Sequence, residues 1–255
     1  MKLKYALLFF SLGYFLFVGC SSNAEIYVDE GTQKEIIDDT EFSNDTVQNT
    51  VQKNLKILAL GDSYTIGESV CNSCRFPEQL KDSIIEKVKD WNVSLKVIAR
   101  TGWTTGALIS AINNETLSED YDLVTLLIGV NNQYQGAPFE IFEKEFPELV
   151  IKANKLAQAK KSNVIIISIP DYAFTPFGNG NPSITEDINT YNSYIENYCN
   201  AYNITYVYIT DITRKGLDNP NLVASDGLHP SEFAYTQFVS RILPHALEKI
   251  GYTSQ

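Results

Sequence analysis

"LKILALGDSYTIGES", residues 55–69, changes character at one residue. Up to Leu60 it is apolar apart from Lys56; from Gly61 onward it is polar and carries two glycines. An apolar run of this length suits a strand buried on both faces. The same transition recurs along the chain. "SLKVIA" (94–99) runs into "RTGWTTG", "DLVTLLI" (122–128) into "GVNNQYQG", and "NVIIISI" (163–169) into "PDYAFTPFGNGNPS"; "ITYVYI" (204–209) is a fifth apolar run. Helical spacing fills the intervals. Phe76, Leu80, Ile84 and Val88 recur every four residues, and Phe142, Phe146, Leu149, Val150, Ala153, Leu156 and Ala157 form a second stripe. Pro147 should kink that second helix or start it anew. Residues 185–202 read as helical, and a last helix after Pro230 carries Phe233, Val239, Ile242, Leu243, Leu247 and Ile250. Strand–helix alternation of this kind predicts an α/β fold, a three-layer α/β/α sandwich with about five parallel strands and helices on both faces.

The 255 residues, 44% of them hydrophobic, can bury one full core. A net charge of −11 argues against a nucleic-acid partner, because phosphate binding needs a basic face. Much of that charge sits in residues 21–54, where eight acids face two lysines without sustained periodicity. This stretch reads as a flexible acidic tether, with a root-mean-square span of roughly 30 Å. The first 20 residues pair "MKLK" with the apolar "YALLFFSLGYFLFVGC", the charge and length of a signal peptide rather than a membrane span. The ending "FVGC" resembles the lipobox of bacterial lipoproteins, although Phe17 stands where Leu is commoner. That resemblance implies lipid attachment at Cys20, export, and membrane anchoring on the periplasmic or cell-surface face, with residues 55–255 as the folded domain.

Three cysteines remain. Cys71 and Cys74 form a single C-x-x-C without a second pair or a thioredoxin-like context, which argues against zinc and redox catalysis. In an oxidising compartment a local disulfide or two free thiols fit better. Cys199 reads as core.

In an open parallel sheet, ligands bind beyond the carboxyl ends of the strands. The loops expected there contain a serine, a histidine, an aspartate and an asparagine, the set that acyl transfer needs. Ser63 would be the nucleophile, held by Gly61 at the strand-to-loop turn; its plain alternative is a helix N-cap. His229 in "SDGLHP" would accept the serine proton, and Asp226, three residues earlier on a turn, would hold the imidazole in the right tautomer. The plain alternative for that pair is a polar turn ahead of a helix. An oxyanion would find the backbone N–H of Ser63, the backbone N–H of Gly102, which a larger side chain is expected to crowd, and the Asn131 amide. Asn131 alone would be unremarkable turn chemistry. His245, next to Pro244, reads as a surface residue.

"LALGDSYTIGE", "RTGWTT", "GVNN" and "SDGLHP" resemble, in order, four blocks of the SGNH hydrolases, also called the GDSL-like lipase and esterase family. The resemblance covers nearly all of residues 55–250. It implies a flavodoxin-like fold and assigns Ser63, Asp226 and His229 to a triad, with Gly102 and Asn131 as oxyanion donors. It implies no metal or organic cofactor. The implied substrate is a carboxylic ester of a lipid, a lysophospholipid or an acylated carbohydrate, and the chain is expected to act as a monomer. Tyr64 replaces the family's Leu, and Asn132 stands where many members have Asp; neither departure touches a residue to which the resemblance gives a direct chemical role. Gln133, Tyr134, Tyr172, Phe174 and Phe177 border the expected site and are candidate substrate contacts, the last three on a loop that could equally be packed surface. Two other readings are weaker. A non-catalytic, surface-displayed glycan binder would not need serine, histidine and aspartate together, and a phosphate loop would need a Walker lysine or G-x-G-x-x-G. The G-x-S-x-G elbow of α/β-hydrolases is absent, since Thr65 follows where its second glycine would fall.

Overall fold

The computed structural model describes residues 52–253. The signal sequence, Cys20 and all but the last three residues of the acidic tether lie outside the described residues. Five parallel strands form the sheet: β1 (Asn54–Gly61), β2 (Asn92–Ala99), β3 (Leu123–Leu127), β4 (Val164–Ile167) and β5 (Thr205–Val207), in the spatial order β2-β1-β3-β4-β5. All residues of β3 and β4 are buried, whereas the edge strands β2 and β5 are partly exposed. This is why the central strands read as unbroken apolar runs.

Eight α-helices accompany these strands among the described residues: α1 (Ser63–Ile66), α2 (Phe76–Val88), α3 (Thr105–Asn114), α4 (Val130–Tyr134), α5 (Phe139–Leu156), α6 (Pro182–Tyr202), α7 (Thr210–Thr213) and α8 (Glu232–Lys249). The chain steps from β1 to β2 in one direction, then from β2 past β1 to β3, β4 and β5 in the other. Right-handed crossovers therefore put α2 on one face and α3, α5 and α6 on the opposite face. The packing follows: α2 lies along α8, and α3 along α5. The result is the three-layer sandwich.

Several expectations need correction. Strands β4 and β5 stop earlier than their apolar runs because side chains take over the backbone bonds. Asn192 bonds both the N–H and the carbonyl of Ile169, at 2.8 and 3.0 Å, and Ser168 Oγ accepts the Ile209 N–H at 2.8 Å. Helix α5 continues through Pro147 instead of restarting there. A proline leaves the carbonyl four residues back without its helical donor; here that carbonyl, Glu143 O, receives the Tyr194 hydroxyl of α6 at 2.9 Å. On α8, Phe233 is half exposed, and the buried stripe is Ala234, Tyr235, Phe238, Val239, Ile242 and Ala246. His245 is partly exposed, in keeping with its reading as a surface residue. The short helices α1, α4 and α7, together with α3, were not anticipated. Cys199 is fully buried in the core. Cys71 and Cys74 are joined by a disulfide, which resolves the choice left open by their spacing.

Candidate active site

Each loop of interest leaves the carboxyl edge of a strand. The end of β1 packs so closely that a Cβ on Gly61 would lie 2.1 Å from Thr65 Oγ1 and 2.4 Å from Leu127 O, so only glycine fits. The chain can then turn at once into α1. Asp62, and not Ser63, is the N-cap: its Oδ1 accepts the Tyr64 N–H at 3.0 Å. Ser63 is the first helical residue, which leaves its hydroxyl uncommitted to capping and its N–H without an intrahelical acceptor. The Ser63 carbonyl accepts the N–H groups of Gly67 and Glu68, at 3.1 and 3.0 Å.

Asp226 and His229 meet on the loop before α8. Asp226 Oδ2 lies 2.6 Å from His229 Nδ1 and also accepts the Ser69 hydroxyl at 2.7 Å. Its Oδ1 accepts the backbone N–H groups of Leu228 and His229, at 2.9 and 3.0 Å. Burial by itself would raise the Asp226 carboxyl; the bonds from His229, Ser69 and Leu228 outweigh it and hold the group well below the usual carboxylate range. An ionised acceptor at Nδ1 fixes the proton there and leaves Nε2 as the basic nitrogen. No hydrogen bond joins Ser63 Oγ to the imidazole among the described residues, but both residues line one hollow.

Gly102 and Asn131 border the same hollow. Gly102 is the third residue of a turn closed by the Trp103 N–H on Arg100 O at 3.2 Å, with φ +82°. That is type II geometry, which requires glycine. Nothing in the protein lies within 4 Å of a Cβ placed there, so the backbone angle and not packing against neighbouring residues favours glycine. Two side chains of the α4 segment fix this loop. Gln135 Nε2 donates to Gly102 O at 2.9 Å, and Asn131 Nδ2 donates to Trp103 O at 3.1 Å. A carboxamide has two N–H groups, so Asn131 keeps one for a ligand. Asn132 is structural: it accepts the Thr105 N–H at 2.9 Å and donates to Thr105 Oγ1 at 2.7 Å, tying α4 to the start of α3.

The hollow encloses about 200 Å³. Tyr64, Val130, Tyr134, Tyr172, Phe177 and Leu228 make most of its wall apolar. The rings of Tyr134, Tyr172 and Phe177 stand within 6.3 Å of one another. Two candidate contacts fall outside it. Phe174 is absent from the lining, and so is Gln133, which accepts the Tyr172 hydroxyl at 2.8 Å and donates to Asp187 at 2.9 Å. Sequence reasoning missed Thr101, Val130 and Leu228, whose only signal is adjacency to Gly102, Asn131 and His229. It also set Tyr64 aside, yet this ring packs at 5.4 Å from the His229 ring. Among the described residues, no cluster of three or more His, Cys, Asp or Glu side chains could hold a metal ion.

Beneath Ser63, Asp62 is fully buried, and among the described residues its Oδ2, the buried Tyr235 hydroxyl and Thr65 Oγ1 find no hydrogen-bond partner. Burial pushes the Asp62 carboxyl up to about 7. The native state then binds a proton that the unfolded chain releases near pH 4. Asp62 therefore makes stability fall as pH rises from about 4 to 7, by roughly 1.4 kcal/mol per unit of pKa difference. The isosteric Asp62→Asn variant lacks this proton. Its thermal midpoint relative to wild type should rise between pH 5 and pH 8 in scanning calorimetry; a constant difference would show that Asp62 is ionised throughout.

Residues 59–237 match the model of the GDSL-like Lipase/Acylhydrolase family. No curated protein sequence matches the chain. Among solved structures, a member of the lipolytic protein G-D-S-L family from Veillonella parvula superposes with a TM-score of 0.59 at 20% identity, covering 74% of this chain and 97% of that one. The lipase Lip_vut3 from a goat rumen metagenome gives 0.61 at 20% identity, covering 75% and 97%. The acetylxylan esterase Axe2 from Geobacillus stearothermophilus gives 0.55 at 16% identity, covering 80% and 97%. At these identities the likeness establishes a shared fold.

Proposed function

From the chain's membership of the GDSL-like Lipase/Acylhydrolase family, which makes it an ester hydrolase, we propose that it cleaves carboxylic esters through an acyl-enzyme on Ser63. The observation that carries this reading is that His229, held at 2.6 Å by Asp226, borders the same hollow as Ser63. Ser63 Oγ attacks the ester carbonyl while His229 Nε2 takes its proton. The oxyanion is met by the N–H groups of Ser63 and Gly102 and by the Asn131 amide. His229 then gives the proton to the departing alcohol. In the second half a water, deprotonated by His229, attacks the acyl carbonyl and releases the acid, restoring Ser63. A fluorophosphonate probe should label the protein and fail on Ser63→Ala. His229→Gln should stay folded and lose roughly 10⁴-fold in ester turnover; a folded wild-type protein that resists the probe would sink the reading.

The acyl group belongs against the aromatic wall. A small hollow of about 200 Å³ with an aromatic wall suits a short acyl group, with longer chains running out over the exposed Phe177 ring. Acylated carbohydrate and short-chain lipid esters both meet this condition. On a series of p-nitrophenyl esters from acetyl to dodecanoyl, Phe177→Ala should lower kcat/KM more for the longer acyl groups than for acetyl. Equal losses along the series would put the acyl group elsewhere.

The N-terminal sequence supports an exported lipoprotein anchored through acylated Cys20, its domain displayed at the end of the acidic tether. In a bacterial host, radiolabelled palmitate should be incorporated into the full-length chain and not into Cys20→Ser.

A further inference from the structure

One residue of the α1–α2 connection has no place in the mechanism above and yet touches it. Ser69 has φ +65°, a left-handed conformation that costs any residue with a Cβ and that glycine adopts freely. Strain of this kind persists where the side chain contributes something glycine could not. The Ser69 hydroxyl donates at 2.7 Å to Asp226 Oδ2, the oxygen that also holds His229 Nδ1. The other donors to Asp226, the His229 ring and the N–H groups of Leu228 and His229, all come from its own turn. Ser69 alone among these donors reaches in from another part of the chain, across a sequence separation of 157.

That other part of the chain begins at the nucleophile. The Ser63 carbonyl bonds the N–H groups of Gly67 and Glu68, so the peptide reaching Ser69 is fastened to Ser63 itself. The neighbouring Glu68 carboxylate accepts the Thr101 hydroxyl, one residue before Gly102. Beyond Ser69 the segment is closed by the Cys71–Cys74 disulfide and by Arg75, whose Nη1 donates to Ile66 O at 3.4 Å.

We propose that Ser69 is a positioning residue for ester hydrolysis, fixing the Asp226–His229 pair relative to Ser63 through its bond to Asp226 Oδ2. The proposal rests on the reading of Ser63 as nucleophile. Ser69 touches neither substrate nor the reacting atoms; it acts through Asp226. Its bond is exposed to solvent, so a water can replace the donor but cannot replace the link to the nucleophile's segment. The loss on removing the hydroxyl is therefore one of alignment in the transition state rather than of substrate binding.

Ser69→Gly separates this role from a structural one, because glycine relieves the backbone while deleting the hydroxyl. The variant should melt no lower than wild type, with kcat on p-nitrophenyl acetate and the fluorophosphonate labelling rate both reduced about tenfold and KM unchanged within twofold. Ser69→Asn, which tolerates the left-handed conformation and keeps a donor, should recover part of the labelling rate. Wild-type labelling by Ser69→Gly, a rise in KM at constant kcat, or a loss that tracks a lowered melting temperature would each overturn the proposal. A wild-type protein that takes up no probe would instead remove the reading of Ser63 on which it stands.

Discussion

The contact between the end of β1 and its surroundings governs the rest of the architecture. At Gly61 the backbone lies against the Leu127 carbonyl of β3 and the Thr65 side chain, too close for any Cβ. This approach lets α1 start one residue beyond the strand, with Asp62 as its cap, and puts Ser63 at the carboxyl edge of the sheet near its middle. In the order β2-β1-β3-β4-β5 the chain reverses direction beside β1, and the loops after β1, β2 and β3 open into one crevice there. The Gly102 and Asn131 loops therefore reach the same hollow as Ser63.

Charge is distributed around that crevice with opposite solutions for two carboxyl groups. Asp226 is surrounded by four donors and stays ionised despite partial burial. Asp62 is fully buried with a single backbone donor, and its carboxyl is pushed toward the neutral form. Full burial raises the one, and four donors around a partly buried group lower the other. The hollow lined by their neighbours Ser63 and His229 is mostly apolar, so polar interactions made inside it meet little competition from water.

Tyrosine hydroxyls and carboxamides do much of the joining in this chain, and they explain several departures from simple pattern reading. The Tyr194 hydroxyl takes up the Glu143 carbonyl that Pro147 orphans, so α5 crosses its proline without a break. Asn192 fastens the chain where it leaves β4, and Gln133 supports the ring of Tyr172. Each contact joins segments distant in sequence. None could be inferred from the helix or strand that contains it, because local periodicity reports which face is buried and not what it meets.

The sequence by itself determined the alternation of strand and helix, the buried stripes of α2 and α5, and the residue types on the loops that reach the sheet's carboxyl edge. Those features depend on spacing and on side-chain chemistry, both of which are local. Only the tertiary structure decided that Asp62 and not Ser63 caps α1, that backbone angle selects glycine at position 102, that Tyr64 leans on the His229 ring, and that Phe174 and Gln133 stay outside the hollow. It alone brought Ser69 to Asp226. The reason is physical: a side chain's partner is set by where packing brings the backbones, and one polar residue on a loop can cap, support or face a ligand with the same neighbours in sequence.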